Sequence, residues 1–259
     1  MGLIGCGMRI LGCCLFAGLF SLLLLTGCST TVHTEVDSAD DPQDAAFAPK
    51  SVAVPAVWQD WLPQRFPGKR PTRYEFVQQD GRSVVLASAD RSVSMLRKNQ
   101  RVLPDDLGVL QFSWKVPQLI AQANLTQRDK ADSPVRLVLA FEGDRSRFSL
   151  KNSMLSELSQ ALTGEPMPYA TLMYVWSNTH AVGEVLHDPN TDRIRKLVVA
   201  SGPEPLNTWL HFERDVRADF VQAFGEAPGA LMSLGLMTDA DNTQSTARAV
   251  YGPVVWAAR

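Results

Sequence analysis

Glu213-Arg214-Asp215 and, four residues on, Asp219 make the densest cluster of ionisable side chains in the sequence. On a strand, Glu213 and Asp215 project from one face. Two carboxylates held at a fixed separation are what cleavage of a glycosidic bond requires, one as acid and one as nucleophile or base. The competing expectation is an arginine–carboxylate network that fixes loops at a sheet end, and the sequence favours it, because nothing in the pattern implies a cleft. Asp132 and Arg136 flank the start of an apolar run and read as a second structural pair. Thr238-Asp239-Ala240-Asp241-Asn242-Thr243 offers hard oxygens through Asp239, Asp241 and Asn242, which suit Ca²⁺. It lacks the longer oxygen series and closing glutamate of an EF-hand. A turn whose side chains bond their own backbone is therefore favoured over a cation, and no cofactor is expected.

Other chemistries find no footing. His33, His180, His187 and His211 show no zinc-binding spacing. No nucleophile elbow, phosphate-binding loop or dinucleotide fingerprint follows the first thirty residues. The 25 basic and 27 acidic residues nearly balance, which excludes a nucleic-acid binder working through a basic stripe. Six tryptophans invite stacking on sugar faces. Trp114, Trp176 and Trp256 alternate with polar neighbours and read as core, leaving Trp58, Trp61 and Trp209 as the candidates for exposure.

The elements that must position these groups are strands. Leu110, Phe112, Trp114 and Val116 alternate with Gln111, Ser113 and Lys115, and Val135–Phe141 and Leu172–Trp176 repeat the pattern. Tyr74–Val77 and Ser83–Ala87 form a hairpin around Asp80-Gly81. Met95–Leu96, Ile194–Ala200, Trp209–Val216, Leu231–Met237 and Ala247–Trp256 complete a set of about ten. Leu150, Met154, Leu155, Leu158 and Leu162 fall at helical spacing, stopped by Gly164, and Asp219–Phe224 adds a turn or two. Strands without βαβ alternation predict an all-β fold, a sandwich of two antiparallel sheets over residues 57–259 with one or two short helices.

The N-terminus reads as an address. Arg9 precedes an apolar run, Ile10–Leu25, too short to span a bilayer. Leu25-Thr26-Gly27-Cys28 resembles the lipobox of bacterial lipoproteins, which implies removal of residues 1–27 and acylation of Cys28. Ser29, in place of an acid, implies the outer membrane, with the protein facing the periplasm. All four cysteines lie at or before Cys28, so no disulfide framework is available beyond it. Residues 29–56, with five acids between Glu35 and Asp44 and prolines at 42, 49 and 55, read as an extended tether.

Leu172-Met-Tyr-Val-Trp176, Trp209, Glu213-Arg-Asp-Val216, Asp219, Phe224-Gly225, Gly235-Leu-Met-Thr-Asp-Ala-Asp-Asn-Thr243 and Ala249-Val-Tyr-Gly252 follow one another in the C-terminal half. With Trp114-Lys-Val116 and the Asp132…Arg136 pair, this resembles the bacterial envelope family catalogued as domain of unknown function 3047, over about residues 58–256. Met173 departs from it, standing where a polar residue is expected. The resemblance implies a jelly-roll sandwich similar to many carbohydrate-binding modules, and implies no activity. The expectation is a non-enzymatic lipoprotein, membrane-bound through its anchor, that binds an envelope ligand such as a glycan. The candidate contacts are Asp132, Arg136, Trp209, Glu213, Arg214, Asp215, Asp219, Asp239, Asp241 and Asn242. The alternatives are a carboxylate-dependent hydrolase of envelope polysaccharide and a scaffold for an envelope protein.

Overall fold

Successive side chains of each extended run point to opposite faces, and the apolar sets on the facing sides bring two sheets together. The structure, a computed structural model, describes residues 54–79 and 81–257. The signal segment, Cys28 and the tether up to residue 53 lie outside the described residues. The first sheet runs in the order β1-β4-β11-β6-β7-β9-β8. Its strands are β1 (Trp61–Arg65), β4 (Val93–Val102), β6 (Ser133–Phe141), β7 (Ala170–Ser177), β8 (Val185–His187), β9 (Ile194–Ser201) and β11 (Leu231–Asp239). The second runs β10-β5-β12-β3-β2, with β2 (Arg73–Gln79), β3 (Arg82–Asp90), β5 (Val109–Lys115), β10 (Leu210–Asp215) and β12 (Thr246–Tyr251). A two-residue β13 (Val255–Trp256) pairs with β5. All pairings are antiparallel except β7 with β9, which run parallel.

The expected strands are present, with informative edges. Ala247–Trp256 breaks in two at Gly252-Pro253, where the backbone passes so close to the Ser113 hydroxyl that a Cβ would collide with it. Trp209–Val216 stops at Asp215, because that side chain accepts the Ala218 N–H at 3.0 Å and caps α2 (Val216–Phe224). β1 and β8 escaped the sequence pattern: β1 carries Pro63 at a sheet edge, and β8 has three residues. The core between the sheets includes Trp58, Trp114, Trp176, Tyr174, Phe141 and Phe220, all fully buried. Phe112 stacks on Tyr174 and Phe212 at centroid distances of 5.4 and 4.9 Å. Trp58 and Trp61, two of the three candidates for exposure, are 0% and 4% exposed; their rings meet edge-on, and the Trp58 indole donates to the Ser83 carbonyl.

β6 is buried at every position, so the seven-stranded sheet is covered on both faces. Outside, the β5–β6 connection brings Leu125 against Val175, Leu186 and Val198. α1 (Leu150–Thr163) has the expected length, capped by Ser149 and closed by Gly164 in the left-handed region at φ +78°. Its orientation reverses the expectation from amphipathic spacing. Asn152 and Ser156 are its buried residues, whereas Leu150, Met154, Leu158 and Leu162 face solvent. The reason lies at its ends. Asn152 accepts from the Thr191 hydroxyl at 2.7 Å and donates to Asp192, and Glu165, just past the helix, binds Arg97 at 2.6 Å. Those polar ties fix which side points inward.

Candidate functional site

The motif residues of β11 and its following loop assemble a buried ionic knot on the outer side of the seven-stranded sheet. The alternation that turns Leu234 and Leu236 into the core also places Thr238 inward and Asp239 outward, opposite an extra residue in β6. There Asp239 takes a bidentate guanidinium, Arg136 Nε at 3.1 Å and Nη2 at 2.9 Å, and also the Ser133 N–H at 2.9 Å. Asp132 accepts the backbone N–H of Asn242 at 3.2 Å and of Thr243 at 2.7 Å, plus the Thr243 hydroxyl at 2.6 Å. Asp241 binds Lys69. The expected Asp132–Arg136 pair is thus corrected: Arg136 belongs to Asp239, and Asp132 holds the loop. The self-capping turn is corrected likewise, since the loop amides are held from β6's start rather than by their own side chains.

Oxygens of Asp132, Asp239 and Asp241 lie within 4.8 Å of one another, the set that a cation would use. Arg136 and Lys69 already supply positive charge to two of the three, and amides and a hydroxyl occupy the third; the Asn242 side chain is exposed. Burial pushes the Asp239 carboxyl up to about 6, helped by Asp132 and opposed by Arg136. Nearby, Lys196 is buried between Asp188, at 2.8 Å, and the Leu125 carbonyl, at 3.0 Å. Burial, and then the charge of Arg136, lowers its ammonium below the ordinary range. Ion pairs this dry hold the loops in one arrangement.

The second cluster separates. Asp219, buried on α2, accepts Arg214 Nε at 2.9 Å and the Tyr174 hydroxyl at 2.8 Å, inside the sandwich. Glu213 and Asp215 project from the other face of β10, Glu213 bonded to Gln111 at 2.8 Å and Asp215 spent as the α2 cap. The three carboxylates do not converge on a cleft, and the arginine–carboxylate network is what forms. Burial, then Asp219, raises the Tyr174 hydroxyl well above its usual range.

A groove of about 950 Å³ lies instead on the outer face of the six-stranded sheet. Cross-strand register sets its floor: Arg248, Ser88 and Arg73 stand in one row, and Lys115, Val250, Leu86 and Glu75 in the next. Arg70, Asp90, Gln118 and Asn207 complete its polar lining, so Arg70, Arg73, Lys115 and Arg248 outnumber the carboxylates of Asp90 and neighbouring Glu75. Arg70 reaches Asp90 at 3.6 Å, and Arg73 binds Glu75. None of the residues singled out from the sequence lines this groove; half-buried Trp209 packs on Val77, Val84, Leu86 and Val250, of which Val250 does. The alternation of Thr246-Ala-Arg-Ala-Val250 with Lys115 opposite was the available signal, legible only once the strands are paired. A second cavity, about 800 Å³, opens between β1 and the end of α1.

Residues 59–255 match the family described as a protein of unknown function, DUF3047. The chain belongs to that family. No curated protein matches it. Among solved structures, it is similar to the xyloglucanase domain of NopAA, a type three effector from Sinorhizobium fredii, in complex with cellobiose. The identity is 10%, with 77% of this chain and 93% of that one covered and a TM-score of 0.41. A thermostable cellulase derived from that of Rhodothermus marinus is similar at 10% identity, covering 76% of this chain and 95% of its own, with a TM-score of 0.40. For this DUF3047 member the knot explains the motif: Thr238, Asp239, Thr243, Tyr251, Asp132 and Arg136 are bonded to one another or to the backbone between them.

Proposed function

We propose that the protein is an outer-membrane lipoprotein, acylated at Cys28 and facing the periplasm, that binds an acidic envelope glycan along the outer face of its six-stranded sheet. The observation that carries the reading is the row Arg248–Ser88–Arg73 beside Lys115, set in a groove along the outer face of the sheet. Guanidinium and ammonium groups pair with carboxylates or phosphates on a sugar chain. The amides of Gln118 and Asn207 suit its hydroxyls. A groove open along the sheet accepts a chain rather than a compact ligand.

Binding of the purified protein to acidic and neutral envelope polysaccharides, measured by calorimetry, tests this. Arg248→Gln and Lys115→Gln are each expected to weaken the acidic ligand about tenfold, on the order of 1.4 kcal/mol, and binding should fall with added salt. Equal affinity for neutral and acidic chains, unchanged in both variants, would overturn it. Mass spectrometry of the N-terminal peptide tests the anchor: an unmodified Cys28 ends that part of the reading.

A further inference from the structure

We infer that the outer face of α1, together with the exposed end of β1, rests on the phospholipid surface to which the protein is tethered; this builds on the proposed acylation of Cys28. Leu150, Met154, Leu158 and Leu162 recur at every fourth position and form one row along a 14-residue helix, about 21 Å long. They are 79, 62, 53 and 58% exposed. Leu62 of β1 is 64% exposed and shares the 800 Å³ cavity with Leu162, so the apolar row continues past the helix to the sheet edge. The fold has no use for these side chains in water, because Asn152 and Ser156 make the inward contacts.

Three observations select a bilayer as the occupant. The first is where the chain arrives. The described chain begins at Val54, and Gln59 and Asp60, five and six residues on, line the same cavity as Leu62 and Leu162, so a tether from Cys28 would start within about 20 Å of this face. The second is extent. One row on a short helix is narrow against the roughly 800 Å² per partner of a stable protein interface. It is enough to act as a second membrane signal, since an acyl anchor and a shallowly inserted helix reinforce each other. The third is charge. Lys151 on the helix and Arg65 on the cavity rim are exposed cations beside the row, placed to meet lipid phosphates. Glu157 is the one acidic residue within α1.

The mature lipoprotein, reconstituted on vesicles of phosphatidylethanolamine and phosphatidylglycerol, tests the inference. A nitroxide attached at Leu158→Cys should collide with dissolved oxygen in preference to a water-soluble nickel chelate. The same label at Val255→Cys, on the six-stranded sheet, should show the opposite preference. A label at 158 that meets the nickel chelate while the protein remains on the vesicles would overturn the inference. Shelter from both reagents would also overturn it, since that indicates a protein occupant. Failure of the anchor is read separately: if mass spectrometry finds Cys28 unmodified, the unacylated chain is floated with the same vesicles. Flotation lost in a Met154→Ser/Leu158→Ser variant then sustains the helix contact, and no flotation refutes it.

Discussion

Tyr251 in one sheet and Thr238 in the other meet hydroxyl to hydroxyl at 2.9 Å across the sandwich. The tyrosine also donates to the Met237 carbonyl at 2.7 Å. Beside it, the Tyr74 hydroxyl accepts the Thr238 N–H at 3.3 Å and donates to Ser94 at 2.8 Å. Two phenols from the six-stranded sheet thus bond backbone groups of β11 and β4 in the facing sheet. Burial raises both hydroxyls well above their usual range, so they stay protonated and able to donate.

Removing one of them should be felt. Tyr251→Phe keeps the ring but removes the donor to the Met237 carbonyl and the acceptor of the Arg136 N–H, while Thr238 keeps its bond to the Pro134 carbonyl, so a loss of about 1–3 kcal/mol is expected in denaturant unfolding. An unchanged midpoint would mean that water replaces the phenol.

Arg136 and Asp239 are both buried, with side chains 4% and 5% exposed. Arg136→Met leaves an uncompensated buried carboxylate and should cost about 3–5 kcal/mol. The double replacement Arg136→Met/Asp239→Leu should recover a large part of that. A double variant no more stable than the single one would show that the knot's amides, rather than its charges, carry the arrangement.

The acid response should have two limbs. Asp239 holds its proton up to about 6 in the fold, against roughly 3.9 in an unfolded chain. The stability this confers is complete below pH ~4 and fades as pH rises through about 6. Asp188 runs the other way. Burial works against its carboxylate, but Lys196 outweighs that and lowers it, so its contribution is present above pH ~4 and is lost as pH falls through its depressed value. Unfolding midpoints measured from pH 3 to 7 should show both limbs. Asp239→Asn should flatten the upper one alone; an upper limb of the same slope would assign it elsewhere.

The reversed helix makes a plain forecast. Leu158→Ser alters an exposed position and should change stability by no more than about 0.5 kcal/mol. Asn152→Leu removes the bonds to Thr191 and Asp192 from a site that is 1% exposed, and should cost about 1–3 kcal/mol. Circular dichroism melts of the two variants, compared with the parent, would reverse in order if the leucine row faced inward in solution.

Period-two alternation made the sandwich legible, because each strand carries its own inside and outside in its sequence. The reach of Arg136 to Asp239 was not legible, since the two residues stand 103 positions apart and Asp132 lies closer in the chain. Nor was the direction of α1. Spacing identifies an apolar stripe but is silent on whether protein, water or something else meets it, and distant Thr191 and Asp192 decide that. The burial of Trp61 followed from a strand, β1, too short and too proline-broken to announce itself, and Trp58, in the turn before it, is held by distant Ser83 and Phe76. The groove cations were visible singly, and only pairing of β12 with β3 and β5 brings them side by side.

Pro63 in the outermost strand at one end of the seven-stranded sheet, and the mere three residues of β8 at the other, have a consequence beyond the fold. A proline withholds an amide that an incoming strand would need, and a three-residue stub gives a template too brief to grip. Neither end of this sheet offers a neighbouring molecule a ladder to continue, so crowded copies are guarded against edge-to-edge pairing there.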